Sequence, residues 1–196
     1  MGRRNTTSQA RVLAAAEQVF YERGIARTNI DAIAQAANVT KPTVYAHFAS
    51  KSALAAGALE ARQRRITAGL DARLAEVQPG APRLIALFDW LGSWYQDGNG
   101  RGCAFLNAAA ESAADEEVAA AVRAEKLWLL RALRELCVEA GCDRPDQLAS
   151  QLLLLIDGVA ARVLVHGSGE AGAATSAAAN AAAVLLASAI DGHGAP

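Results

Sequence analysis

Four polar side chains of one short segment could hydrogen-bond to a partner: Lys41, Thr43, Tyr45 and His47. Val44 and Phe48 are four residues apart, so on a helix they share the opposite, apolar face. A helix this short cannot form a core alone, and a polar front on an apolar back suits the major groove of DNA. The residue types and their spacing therefore indicate recognition of bases and phosphates.

Two short helices joined by a tight turn would position these side chains. Thr28 is a favourable N-cap, and apolar residues then recur at helical spacing. Asn38 stands where the first helix must end, and asparagine tolerates the left-handed conformation common there. Thr40 caps the second helix, and Pro42 falls in its first turn, where a missing N–H costs nothing. The pattern predicts a helix-turn-helix.

The segment resembles the helix-turn-helix of the TetR family of ligand-responsive transcriptional regulators. The family pattern runs roughly as Thr-x-x-x-Ile-Ala-x-x-Ala-Gly-Val-Ser-x-x-Thr-x-Tyr-x-His-Phe-x-Ser-Lys. The matching positions here are Thr28, which is one residue farther from the isoleucine than in the pattern, and then Ile33, Ala34, Ala37, Val39, Thr40, Thr43, Tyr45, His47, Phe48, Ser50 and Lys51. Asn38 replaces the usual glycine, Pro42 stands where glycine is frequent, and Ala46 stands where a larger residue is common. The last two departures lie near the base-reading face, so the operator sequence stays open.

The resemblance implies a set of DNA contacts. Base edges or neighbouring phosphates would be contacted by Lys41, Pro42, Thr43 and His47, and phosphates would be held by Asn29, Thr40, Tyr45 and Lys51. Each of these residues also has a structural alternative. Thr40 is a cap in either case, Tyr45 could pack half-buried, His47 could be a structural histidine, and Lys51 could be a solvated lysine.

The charge distribution agrees with a polyanion bound at one end of the chain. Residues 1–65 carry ten basic and four acidic residues, a net charge of +6, whereas residues 66–196 carry nine and sixteen, a net of −7. A basic segment joined to an acidic remainder is typical of a protein that binds nucleic acid through one part. Residues 1–7 form a polar arm, whose Arg3 and Arg4 either reach DNA or stay solvated.

Hydrophobic periodicity predicts an all-α protein of about nine helices. After the first helix, at about residues 8–23, and the helix-turn-helix, the remaining helices are expected near residues 51–77, 82–95, 103–113, 115–140, 143–166 and 171–190. The resemblance implies a DNA-binding domain over residues 1–51 and a ligand-binding and dimerisation domain over residues 52–196. The all-apolar run Leu152–Ile156 and the alanine-rich last helix need close partners, which predicts a homodimer through helices eight and nine.

Large aromatic residues concentrate in helices five to seven. We expect an apolar effector pocket among helices four to seven, with Trp90, Trp94, Phe105 and Trp128 as lining residues. The alternative is that these rings fill a core otherwise made of alanines. If the pocket exists, a ligand there would tilt the fourth helix, which is continuous with the DNA-binding domain and has Gly57 as a weak point.

The segment from Arg101 to Glu111 is similar to a Gly-Cys-x-x-x-Asn-x-x-x-Glu segment found in part of the TetR family. Asn107 and Glu111 are four residues apart on one helical face, and Cys103 lies one turn earlier. A thiol at a helix N-terminus beside Arg101 ionises more readily, and some relatives sense electrophiles or oxidants through such a cysteine. The alternative for Cys103 is a small packing residue.

Several classes of function are not supported. The three histidines lie far apart in the sequence, and no metal-ligand spacing, phosphate-binding glycine loop or nucleophile motif occurs, so we expect no enzyme, cofactor or metal. Three cysteines without a CxxC pair favour a reducing cytoplasm. The N-terminus lacks the apolar core of a signal peptide, and the alanine run lacks the leucine and phenylalanine content of a membrane span.

The sequence thus predicts a homodimeric, cytoplasmic repressor that binds a palindromic operator and releases it when a small apolar or electrophilic effector binds. The alternative is a helix-turn-helix DNA-binding protein without a small ligand, acting as an architectural or partner-regulated protein. An enzyme on a helix-turn-helix would need a convergent acid and base, for which only Cys103, Asn107 and Glu111 are available.

Overall fold

The computed structural model describes residues 2–190, with side chains described from residue 7 onward. Within these residues the chain forms nine α-helices and one short 3₁₀ turn at Ser168–Glu170, and no strand. The helices are α1 (Gly2–Arg23), α2 (Ile30–Ala36), α3 (Lys41–His47), α4 (Lys51–Ala75), α5 (Ala81–Gln96), α6 (Ala104–Glu111), α7 (Glu116–Glu139), α8 (Pro145–His166) and α9 (Ala171–Ile190). The all-α prediction is confirmed.

The helices lie where periodicity predicts them, but the first and last residues of some helices differ from the predicted ones. Helix α1 begins at Gly2, so the expected arm over residues 1–7 is helical from residue 2, whereas the side chains of Arg3 and Arg4 lie outside the described part. Helix α6 is one residue shorter at its start and two shorter at its end than periodicity indicates. Helix α9 spans the predicted residues.

The chain folds into two compact units. Of the described residues, the first unit contains those up to Ile66 and Ala104–Glu125, and the second contains Thr67–Cys103 and those from Lys126 onward. Helices α4 and α7 therefore each contribute to both units. The predicted boundary at residue 51 separates two functions and not two compact units, so it stays a prediction.

The first unit packs α1 to α3 and the start of α4 around fully buried aliphatic side chains. Val12, Ile33 and Leu54 are 0% exposed, and Val44 of α3 is 1% exposed. A Cβ added at Gly57 of α4 would lie 3.3 Å from Leu13 and 3.4 Å from Phe48. Gly57 thus allows close packing on α1 and on the end of α3, and bending at this glycine stays a prediction.

The core of the second unit lies chiefly among α5, α8 and α9. Phe88, Leu152 and Ala182 are at most 1% exposed. A Cβ at Gly92 of α5 would lie 2.9 Å from Thr175 Oγ1 of α9, so glycine is needed for the close approach of these helices. Thr175 donates its hydroxyl hydrogen to the Ala171 carbonyl at 2.8 Å, which satisfies a buried polar group.

A Schellman motif ends α7 and brings two cysteines together. Gly141 has φ +78°, the Cys142 N–H donates to the Cys137 carbonyl at 3.1 Å, and the Gly141 N–H donates to Val138 at 3.0 Å. The two thiols are buried and hydrogen-bonded to each other. Burial raises the pKa of Cys137 to about 12 and also raises the pKa of Cys142, so both remain protonated thiols.

Two segments of the described chain, Pro145–His166 and Ser168–Ile190, are long and apolar enough to span a membrane by length and composition. Inside the protein, 39% and 28% of their most apolar windows are buried. Each segment therefore packs one face into the second unit and leaves other apolar side chains open.

Candidate nucleic-acid interface and effector segment

A second Schellman motif forms the turn between α2 and α3. Asn38 has φ +50°, the Val39 N–H donates to the Ala34 carbonyl at 2.9 Å, and the Asn38 N–H donates to Gln35 at 3.1 Å. The predicted left-handed conformation of Asn38 is confirmed. This turn fixes the direction in which α3 leaves α2.

Side-chain caps begin both helices of the motif, but one predicted cap is wrong. Asn29 caps α2, because its Oδ1 accepts a hydrogen bond from the Ala32 N–H at 2.9 Å. Thr28, the predicted cap, is instead 3% exposed and donates to the Gly24 carbonyl at 2.7 Å. Thr40 caps α3 as predicted, and its hydroxyl also shares a hydrogen bond of 2.8 Å with that of Thr43.

The buried back of α3 leaves its front open to solvent. Val44 is 1% exposed, whereas Tyr45 is 47% exposed, Lys41 and Pro42 are exposed, and Thr43 is half-buried. The described geometry therefore gives an exposed polar front on a buried apolar back, as the sequence predicts. The contacts of Lys41, Pro42, Thr43 and Tyr45 with DNA stay predictions.

Both lysines of the predicted interface have partners in the protein. The ammonium of Lys41 forms an ion pair with Asp31 at 2.9 Å, and the hydrogen bond from this carboxylate raises the pKa of Lys41. Lys51 donates to the Ala26 carbonyl at 3.3 Å. Lys41 therefore stays protonated, and its charge is partly balanced by a carboxylate on the same surface.

His47 lies half-buried at the end of α3. Its Nε2 is 2.7 Å from the hydroxyl of Ser8 on α1, which ties α3 to α1. The structural alternative named for His47 thus has a specific contact, and a role in DNA recognition stays a prediction.

The seven predicted effector-binding residues divide between the two compact units. Phe105, Asn107 and Glu111 lie on α6 in the first unit, whereas Cys103 and the three tryptophans belong to the second. Phe105 is 1% exposed and Cys103 is half-buried. Convergence of all seven predicted residues on one effector stays a prediction.

Asn107 and Glu111 line one small cavity, in agreement with their predicted common face. The cavity has a volume of about 30 Å³, which is room for a water molecule and not for a drug-sized ligand. Its polar lining also includes Glu17 of α1 and Arg62 of α4.

Arg62 is the central charged group of this lining, and the sequence interpretation of it was wrong. From the sequence alone, Arg62, Arg64 and Arg65 in the middle of the fourth helix are expected to form a solvated face, but Arg62 is 4% exposed. It forms an ion pair with Glu17 at 3.3 Å and stacks over the ring of Tyr21 at 4.3 Å from the ring centroid. Arg64 is exposed, as expected. The signal missed was Glu17 and Tyr21, one turn apart on α1.

Two carboxylates, that of Glu111 in the cavity lining and that of Asp115 four residues later, contact the segments that flank the helix-turn-helix. Glu111 Oε2 accepts a hydrogen bond of 3.3 Å from the Ala26 N–H, in the loop before α2. Asp115 accepts a hydrogen bond from the hydroxyl of Ser52, in the first turn of α4. This hydrogen bond lowers the pKa of Asp115, so the residue is ionised at neutral pH. The end of α6 and the start of α7 are thereby connected to both sides of the motif.

In the second unit, α5 carries a pair of stacked indoles. Trp90 and Trp94 have ring centroids 5.5 Å apart and an interplanar angle of 24°. A Cβ at Gly69 would lie 3.2 Å from Trp90 Nε1, so Trp90 packs directly on α4. Trp128 on α7 is half-buried. The structure thus brings together two of the predicted aromatic residues.

Comparison with known sequences shows that the N-terminal segment is similar to those of bacterial transcriptional regulators. A model of bacterial regulatory proteins of the tetR family matches residues 12–58. Over 53 residues the chain is 42% identical to the HTH-type transcriptional regulator TtgR of Pseudomonas putida, a match that covers 27% of this chain and only 25% of TtgR. It is 27% identical to the uncharacterized HTH-type transcriptional regulator MT1294 of Mycobacterium tuberculosis, covering 75% of this chain and 83% of that protein.

Comparison with solved structures extends the similarity beyond this segment. SCO4454, a TetR-family transcriptional regulator from Streptomyces coelicolor, superposes with a TM-score of 0.85 at 28% identity, covering 94% of this chain and 97% of that one. A TetR transcriptional regulator from Chloroflexus aurantiacus gives 0.76 at 26% identity, covering 91% and 95%. The similarity to such regulators therefore covers helices of both compact units and is not confined to the helix-turn-helix.

Proposed function

Because this chain is a TetR-family DNA-binding transcriptional regulator, we propose that it is a homodimeric repressor that a small-molecule effector releases from a palindromic operator. The observation that carries the proposal is the exposed polar front of α3, held on a buried back by Val44 and Phe48. Lys41, Pro42, Thr43 and Tyr45 are available there for the major groove and its phosphates.

An exposed apolar stripe on α8 and an exposed valine on α9 support the dimer. Leu154 and Val165 of α8 are 72% and 73% exposed, and Val184 of α9 is 71% exposed. Gly158 and Ala161 lie between the two α8 residues at spacings of four, three and four, so they form one stripe, and a Cβ at Gly158 would meet nothing within 4 Å. Covering each large side chain with a partner helix would contribute roughly 1.5–3 kcal/mol.

A two-fold dimer explains why the operator should be palindromic. Two copies of α3 related by a two-fold axis read two half-sites about 34–36 Å apart, or a multiple of that distance. Repression follows when such a dimer covers a promoter. For a protein that binds operator DNA, we expect a soluble, cytoplasmic location.

The contacts of Glu111 and Asp115 suggest how an effector signal would reach the DNA-binding helices. Glu111 ends α6 and Asp115 precedes α7, and these two carboxylates contact the loop before α2 and the first turn of α4. A ligand that displaces α6 or the start of α7 would strain both contacts and alter the position of α3. The proposed ligand is small and apolar or electrophilic, with Trp90, Trp94, Phe105 and Trp128 as apolar contacts, Asn107 and Glu111 as polar ones, and Cys103 as the thiol.

The experiment that tests the proposal is selection of bound duplexes from a random DNA pool, followed by mapping of the enriched sequence beside the gene. We expect an inverted repeat whose half-site spacing fits one turn of DNA or a multiple of it. Enrichment of a single, non-repeated site would contradict the dimer, and no enrichment over the starting pool would contradict sequence-specific binding.

A further inference from the structure

Asp31 lies on the same surface as the predicted DNA-reading lysine. Its carboxylate, in the first turn of α2, is 2.9 Å from the ammonium of Lys41, and the two side chains are 64% and 48% exposed. The pair therefore faces solvent from the helix-turn-helix itself. DNA bound against α3 would meet both charges.

The position of this carboxylate in the sequence is unusual. Asp31 is the single acidic residue between Arg23 and Leu59, a segment that also contains Arg27, Lys41 and Lys51. An acid on a surface otherwise suited to polyanions opposes DNA binding. Such a residue can still be useful if it weakens binding to one DNA sequence more than binding to another.

We propose that Asp31 is a specificity-determining residue, which holds Lys41 and selectively disfavours DNA that lacks the operator sequence. The inference rests on the proposed function, because it assumes that α3 enters the major groove. It goes further in assigning a role in discrimination to a residue of α2 outside the predicted set of contacts.

The selectivity follows from the difference between phosphate binding and base reading. Sequence-independent affinity comes from cations that neutralise phosphates and release counterions. Lys41 already has a carboxylate partner, so it contributes less to that term, and Asp31 is itself repelled by phosphates. A guanine edge requires only one or two N–H donors, and a lysine ammonium has three. Lys41 can therefore donate to a base while it keeps its hydrogen bond to Asp31.

The test compares the affinity of Asp31→Asn and the unmodified protein for the selected operator and for a scrambled duplex, over a salt series. We expect Asp31→Asn to bind the scrambled duplex roughly three- to tenfold more tightly, with a salt slope steeper by about 0.9, as for one additional phosphate contact. Operator affinity should change less, so the ratio of the two affinities falls. Asp31→Glu keeps the charge and should preserve this ratio.

Two further variants separate the proposed role from general effects. Asp71→Asn removes an equal charge from an exposed residue of the second unit and should leave both affinities unchanged. Adding Lys41→Ala to Asp31→Asn should remove most of the gain, because most of it comes through the released lysine and only the remainder through the lost repulsion between Asp31 and phosphates. Unchanged scrambled-duplex affinity and salt slope in Asp31→Asn, or an equal gain in Asp71→Asn, would overturn the assignment. An unmodified protein that binds neither duplex would instead overturn the proposed function, and the inference with it.

Discussion

The carboxylate of Glu111 lies so close to Gly24 that a Cβ at Gly24 would be 2.6 Å from Glu111 Oε2. Gly24 ends α1 with φ +87°, and the same oxygen accepts the Ala26 N–H two residues later. Gly24 is therefore required twice, once for the left-handed backbone and once for the approach of a carboxylate from α6. A residue of the effector segment thus contacts the loop that leads into the helix-turn-helix.

This contact predicts the outcome of a double-mutant cycle. Gly24→Ala should lose about 1–2 kcal/mol of unfolding free energy from the positive φ alone, and more from the clash with Glu111. In a Glu111→Ala background, only the loss due to φ should remain. Urea denaturation of the four proteins measures both losses. Equal losses in the two backgrounds would mean that the carboxylate moves aside without cost.

Replacement of exposed residues of α3 should weaken operator binding while leaving the fold intact. Lys41→Ala and Tyr45→Ala each remove a side chain that is about half exposed and does not belong to the buried core. We expect a loss of about 1–3 kcal/mol per half-site, measured by DNA titration at fixed salt. Arg131→Ala, which removes an exposed cation of α7 in the second unit, is the matched control. Operator affinity unaltered in both α3 variants would remove this helix from the groove.

Most local features of the helix-turn-helix were predictable from sequence, although the cap of α2 is Asn29 and not Thr28, whereas the long-range pairs were not predictable. The turn at Asn38 and the cap at Thr40 depend on residues within five positions of each other, which a single segment encodes. The pairing of Arg62 with Glu17 joins residues 45 positions apart, so no periodicity reveals it.

Uniformly apolar helices mark a second limit of sequence analysis. In the run Leu152–Ile156 every residue is apolar, so periodicity does not say which side faces the core. Leu152 is 1% exposed and Leu154 is 72% exposed, whereas Ala182 of α9, which a sequence-based choice would assign to the dimer interface, is 1% exposed within the protein. Only the three-dimensional packing shows which apolar residues of α8 and α9 face the core and which are exposed.

The dimer is therefore best tested at exposed positions. Leu154→Arg or Val184→Arg would place a charge in the proposed interface without a partner, and we expect monomers or aggregates by light scattering. Leu127→Arg on α7 is the matched control, because Leu127 is also apolar and 57% exposed but lies outside α8 and α9. A soluble dimer in both α8 and α9 variants, or dissociation in the control as well, would place the interface elsewhere.

Thiol reactivity should separate Cys103 from the other two cysteines. Cys137 and Cys142 are buried, and burial raises the pKa of both, so the thiolate that reacts with disulfide reagents is scarce. Cys103 is half-buried. In the native protein, we expect a single fast-reacting thiol with Ellman's reagent, which Cys103→Ser removes. If Cys103→Ser leaves the fast phase intact, Cys103 is a packing residue and the electrophile hypothesis fails.

The proposed switch makes a reciprocal prediction about effector and operator. If an effector weakens operator binding by some factor, operator must weaken effector binding by the same factor, because the two equilibria are linked. All three tryptophans belong to the second unit, and the stacked pair Trp90 and Trp94 gives a signal sensitive to a nearby ligand. Titration of tryptophan emission with candidate apolar ligands, with and without operator, therefore measures the coupling.

The contact of Glu111 with Ala26 gives this experiment an internal test. If that contact carries the signal, Glu111→Ala should leave effector affinity in the absence of DNA within a few-fold of normal and should reduce the operator-induced change. Ser52→Ala, which removes the hydrogen bond to Asp115, should reduce the coupling in the same direction. A ligand that quenches the tryptophans equally with and without operator is not the effector. Coupling that is undiminished in both variants would require a path that bypasses these two carboxylates.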